Sequence, residues 1–148
     1  MASLGSLGRA RKIELLRRIP LFSTCTQREL AEVATLTVEA TFRKDAVLTR
    51  EGQSGGIAFV IASGTAEVVR GGKRLARLGE GDVVGELSLI DGQPRSATVR
   101  ATSDLEVLEI AAVDLRRLLK RAPSVVRKLL EAMSLRLRET DALVTAST

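Results

Sequence analysis

Ten of the twelve glycines lie between Gly52 and Gly92; the flanks carry only Gly5 and Gly8. Glycine punctuates turns, so this distribution predicts helices, then a turn-rich β module, then helices again. On the N-terminal side Ile13, Leu16 and Ile19 follow helical spacing, and Pro20 ends the pattern. Thr26-Gln27-Arg28-Glu29 is a capping box opening a short amphipathic helix through Leu30, Val33 and Ala34. From about Val38 short apolar segments take over. Phe59-Val60-Ile61 reads as a strand closed by Gly64. Ala66 to Arg70 and Lys73 to Leu78 flank Gly71-Gly72, the signature of a two-residue hairpin with positive φ. Thr98 to Thr102 and Leu105 to Ile110 are two further strands. Many short strands with regular turns predict a sandwich or barrel, not a βαβ sheet.

Helical spacing returns at Val113, Leu115, Leu118 and Leu119, and Pro123 fits the first turn of another helix. There Val126, Leu130, Met133 and Leu137 recur every three or four residues, a stripe for packing on something apolar. Simple docking against the β module and a movable lid both fit that stripe. Thr145 to Thr148 read as a loose tail.

Composition removes several function classes. The chain has no histidine and one cysteine, Cys25. A zinc or iron site of the cupin type lacks its nitrogen and sulfur ligands, no intrachain disulfide can form, and a nucleophilic cysteine would have no histidine to activate it. Cys25 therefore reads as a small packed side chain, and neither catalytic nor metal-binding residues are assigned. Three phenylalanines are the only aromatics, too few to stack the bases of single-stranded nucleic acid. Net charge is +4 over residues 1–20, −3 over 21–110 and +4 over 111–148. The mildly acidic middle is no general polyanion trap, and the basic ends read as solvated helix faces. No apolar run can span a bilayer and no secretory signal is apparent, which makes the cytoplasm the expected location.

The informative stretch is GELSLIDGQPRSATVRA, Gly85 to Ala101. Gly85 permits a tight backbone and close approach of a ligand. Glu86-Leu87-Ser88-Leu89 can form one helical turn whose free amides receive an anion. Arg95 offers a forked guanidinium for two phosphate oxygens, and Ser96 adds a hydroxyl. Gly92 permits a turn between the halves, and Pro94 fixes the approach to Arg95. A carboxylate at Glu86 belongs beside a phosphate only if it accepts from a sugar hydroxyl or pairs with an arginine.

This stretch closely resembles the phosphate-binding cassette of the cyclic nucleotide-binding domain family, shared by cAMP-dependent kinase regulatory subunits, catabolite activators and cyclic nucleotide-gated channels. Gly85, Glu86, Leu87, Ser88, Leu89, Arg95, Ser96 and Ala97 sit where the family has such residues, and Arg50-Glu51-Gly52 and Gly64 match its turns. The likeness runs from Leu21-Phe22 to the Pro123 helix. It implies an α+β fold: an eight-stranded antiparallel β-roll, a jelly-roll-like barrel, flanked by N- and C-terminal helices. One domain is expected over 1–148, with helices in 1–36, the roll in 37–111, the cassette at 85–98 and helices in 112–143.

The resemblance further implies a binding module, not an enzyme, with a cyclic nucleotide as ligand and no cofactor. The Gly85–Leu87 amides, with Ser88, Arg95, Ser96 and Ala97, would surround the phosphate, and Glu86 would hold the ribose 2′-hydroxyl. Ser96 after the arginine leans toward cAMP over cGMP. Thr140 falls where a catabolite activator has a base-contacting threonine, and Arg136 where an arginine can approach the cassette glutamate. Asp141 replaces a serine of that pattern, and Met133 and Leu137 offer apolar caps for the base. Ligand binding is expected to move the last helix. Neither a DNA-reading module, a kinase domain nor a pore is expected within the 148 residues. The partner implied is a protein effector or a linked effector domain, and the terminal helices could support a homodimer. The competing reading is an interaction module of the same fold that no longer answers to a cyclic nucleotide.

Overall fold

The computed structural model describes the backbone of residues 7–147 and the side chains of residues 7–140. Helix α1 (Arg9–Arg17) leads into a 3-10 turn at Pro20–Phe22 and then α2 (Gln27–Ala34). The capping box forms as expected: the Glu29 amide donates to Thr26 Oγ1 at 3.2 Å, and the Thr26 amide donates to Glu29 Oε1 at 2.8 Å.

Eight strands follow: β1 (Val38–Phe42), β2 (Val47–Thr49), β3 (Ile57–Ser63), β4 (Ala66–Arg70), β5 (Lys73–Leu78), β6 (Val83–Val84), β7 (Thr98–Ala101) and β8 (Leu105–Ala111), with the short helix α3 (Ser88–Asp91) between β6 and β7. All pairings are antiparallel. They build two four-stranded sheets, ordered β1-β8-β3-β6 and β2-β7-β4-β5. The eight expected strands are all present and antiparallel, and they form two open four-stranded sheets rather than one closed sheet. The edge strands explain this. β6 is two residues long and pairs only with β3, while β2 pairs only with β7 and slips register between Val47 and Thr49. The β4–β5 hairpin turns at Gly71 and Gly72 with φ of 57° and 78°, the positive values a two-residue turn requires.

Period-2 alternation sends the two faces of β3 and β8 into different cores. Phe59, Ile61, Leu105 and Val107 join Val99 and Ala101 in one apolar cluster. There Phe42 meets Phe59 edge-on at 6.3 Å between ring centroids. Ala58, Val60, Leu108 and Ile110 join the helices, packing with Leu15, Leu16, Phe22, Leu30 and Val33. Helices α4 (Ala112–Arg121) and α5 (Pro123–Ser147) complete that second core through Leu115, Leu118, Val125 and Leu129.

The α5 stripe is corrected by one residue. Val125, Leu129 and Ala132 are buried, whereas Leu130, Met133 and Leu137 are exposed and Val126 is half-buried. One residue is a rotation of roughly 100° about a helix. The face is chosen by the elbow at Ala122, itself buried, and by Thr24 Oγ1, which donates to the Lys128 carbonyl at 2.6 Å. The helix also continues to Ser147, through most of the segment expected to be a loose tail; Thr148 lies outside the described residues. No helix among the described residues is long and apolar enough to cross a membrane.

Candidate functional site

The chain leaves β6 at Val84 and turns at Gly85, whose φ is +78°. A Cβ there would run into the Arg95 guanidinium and lie 3.0 Å from the Ile57 carbonyl oxygen. Ser88 then closes the turn: its amide and its hydroxyl both donate to the Gly85 carbonyl, at 3.1 and 2.7 Å. Glu86 to Leu89 form the expected turn, the Leu89 amide donating to the Glu86 carbonyl at 3.1 Å, and it continues as the regular helix Ser88–Asp91. Gly92, at φ +63°, ends it. The amides of Gly85, Glu86 and Leu87 donate to no protein group among the described residues.

Arg95 is fixed from its backbone outward. Its amide donates to the Gln53 carbonyl and its carbonyl accepts from the Gly52 amide, each at 2.8 Å. The half-buried guanidinium donates to the Ile57 carbonyl. Burial draws its pKa below the ordinary arginine value, yet an arginine stays charged at neutral pH. The Ser96 side chain is exposed while its carbonyl accepts from Arg70 Nε at 2.9 Å; Ala97 is buried.

These pieces enclose one cavity of about 450 Å³. Gly85, Glu86, Leu87, Ser88, Arg95, Ser96 and Ala97 all line it. Leu89 turns the other way, into the helical core. Sequence reasoning missed the opposite wall: Thr49, Val68, Leu78, Val83, Val84 and Val99. Strand alternation could have marked Val68 and Val99 as inward residues, but which strands face each other is a tertiary fact. The cavity thus has an apolar wall and, facing it, free amides with one guanidinium, an arrangement suited to an anion carrying an apolar body.

Glu86 sits at the edge with its side chain 10% exposed. Its Oε2 accepts from the Leu21 amide at 2.7 Å, and its Oε1 pairs with Arg136 of α5. Met133, Leu137 and Thr140 are exposed on α5 and do not line the cavity; the Thr140 hydroxyl donates to the Arg136 carbonyl at 3.1 Å. The side chain of Asp141 lies outside the described residues. Of the α5 residues singled out, only Arg136 is brought to the cassette.

Burial pushes the Cys25 thiol up to about 11, which leaves no thiolate at neutral pH. No cluster of three acidic or cysteine side chains among the described residues could hold a metal ion.

The geometry agrees with three comparisons. A family model described as the cyclic nucleotide-binding domain matches residues 39–122. A putative potassium channel protein of Rhodopseudomonas palustris is 34% identical over 119 residues, which are 78% of this chain and 29% of that protein. The cyclic AMP receptor protein of Thermus thermophilus is 38% identical over 96 residues, 62% of this chain and 44% of that one. The solved N-terminal domain of a transcriptional regulator from Streptomyces coelicolor A3(2) aligns with a TM-score of 0.82 at 32% identity, covering 88% of this chain and 94% of that domain. The chain therefore spans less than half the length of either curated relative.

Proposed function

The chain belongs to the cyclic nucleotide-binding domain family, and on that footing we propose that it binds a cyclic nucleotide, cAMP in preference to cGMP, in the cavity between Gly85–Ser88 and Arg95–Ala97. The observation that carries this reading is the meeting of one half-buried guanidinium with three unpaired amides on a single cavity wall. A cyclic phosphate satisfies all of them at once, with Arg95 exchanging the Ile57 carbonyl for phosphate oxygens. Val68, Leu78 and Val99 offer the base an apolar surface. Ser96 after the arginine is the residue that favours cAMP. The family's role is regulatory rather than catalytic.

Signal transfer runs through Glu86. That carboxylate already serves the Leu21 amide and Arg136. A ribose hydroxyl donating to it competes with Arg136, the tie between the cassette and the far part of α5. Release of that tie lets Met133, Leu137 and Thr140 swing toward the base. The ligand shifts the equilibrium only by its difference in affinity for the two helix positions. The effector that senses this movement is a protein or a linked domain.

The exposed Leu130, Met133 and Leu137 favour a second reading, in which α5 is a protein-docking face and the pocket no longer responds. Thermal unfolding separates the two: cAMP at a hundred times its dissociation constant adds about 2.7 kcal/mol to a binder and nothing to a non-binder.

Calorimetric titration tests the site itself. Hydrogen bonds to a charged group are worth roughly 1.5–3 kcal/mol, so Arg95→Ala is expected to weaken cAMP binding by about ten- to 150-fold. Unchanged affinity would take Arg95 out of the site. A wild-type protein that takes up neither cAMP nor cGMP sinks the whole reading.

A further inference from the structure

Thr49 ends β2 opposite Val99 of β7 and is 6% exposed. Its Oγ1 is the one fully buried side-chain nitrogen or oxygen without a hydrogen-bond partner among the described residues. Buried hydroxyls are almost always paired, and an unpaired one works against stability. The residue lines the 450 Å³ cavity amid Val68, Val84 and Val99. It also lines an adjoining recess of about 110 Å³, and Arg95 is the other residue common to both spaces. Thr49 therefore stands beside Arg95 where the two spaces adjoin.

We propose that Thr49 is a ligand-binding residue of this pocket, its hydroxyl donating to an oxygen of the nucleotide's sugar–phosphate ring. This rests on the reading of the cavity as a cyclic nucleotide site. A hydroxyl brings one donor and two acceptor positions, so it can hold the ring oxygen that the Arg95 fork leaves unmet. The unpaired state in the protein alone and the paired state with ligand are two sides of one arrangement. The fold bears the cost of the lone hydroxyl, and the ligand removes it.

The test measures two properties of Thr49→Val and Thr49→Ser: cAMP affinity by titration, and the unfolding midpoint without ligand. Valine keeps the branched shape and deletes the hydroxyl. T49V is expected to lose about three- to tenfold in affinity and to unfold a few degrees higher without ligand. T49S, which keeps the hydroxyl, is expected to stay within about threefold of wild type, the low end of that same range. Opposite signs in the two measurements are the mark of a hydroxyl kept for a ligand. T49V binding cAMP as wild type does overturns the assignment and leaves the pocket's function standing. A lower ligand-free midpoint for T49V shows the hydroxyl paired within the fold and overturns it as well. A serine variant as weak as the valine one places the effect on the methyl group, which also overturns the assignment. Failure of the wild type to bind cAMP removes the cyclic nucleotide reading and this assignment together.

Discussion

The two halves of α5 are built from similar residues and live in different surroundings. The near half sends Val125, Leu129 and Ala132 into the helical core. It is also tied by Thr24, whose hydroxyl donates to the Lys128 carbonyl. The far half, from Met133 on, is exposed at every described position, and among the described side chains it is bonded to the cassette only through Arg136 and Glu86. Apolar content does not distinguish them, since Leu135 and Leu137 are as apolar as Leu129. What differs is the number of independent ties. A segment held at one charged point can change position without disturbing the core; a segment held by packing cannot. That contrast locates the moving part of the proposed sensor beyond Ala132.

The contrast can be broken by substitution. Leu129→Ala opens a cavity in the helical core, and such truncations cost about 2–5 kcal/mol; denaturant unfolding should show a loss in that range. A loss under about 1 kcal/mol, well below that range, would mean the near half is not core at all.

Glu29→Gln comes next. Burial raises the Glu29 pKa, but hydrogen bonds from Thr26 and Ser124 and the charge of Lys128 outweigh it, holding the carboxyl below its ordinary 4.5. A lowered folded value means that Glu29 contributes its stability in full above that ordinary value. The contribution is lost as pH falls through the folded value. Exchanging a charged acceptor for a neutral one should cost about 1 kcal/mol at pH 7. The gap to wild type should close under acid, below about pH 4.5. A gap that is independent of pH would place the effect elsewhere.

Arg136→Ala should be the gentlest. With the arginine side chain 46% exposed, its pair with Glu86 is worth roughly 0.2–1 kcal/mol. Hydrogen exchange should nevertheless quicken in residues 133–140 and stay unchanged in 125–132. Equal quickening in both stretches would erase the distinction between the halves.

The parts of the molecule that could be read from the chain are those decided by neighbours in sequence. Gly71-Gly72 specifies a hairpin because only positive φ closes it. Thr26 and Glu29 cap a helix because the two residues are one turn apart. The cassette from Gly85 to Ala97 is legible for the same reason: its turns, its arginine and its spacing are local. The face of α5 was not legible. Val125 and Val126 are adjacent and equally apolar, and the choice between them lies with Ala122, Thr24 and the turn at Pro20–Phe22. Thr49 was hidden for a related reason. Nothing near it in sequence says that β2 will pair with β7 and carry it to the wall of a cavity completed by β4 and β6.

The backbone of Arg95 is moored to Gly52 and Gln53, in a turn far upstream. Gly52 holds φ at +83°, a conformation that most substitutions would disturb. A change there would swing the anchor of the guanidinium while every letter of the cassette stayed the same. A motif search over descendants of this chain would then score such a protein as intact when its arginine no longer reached the cavity.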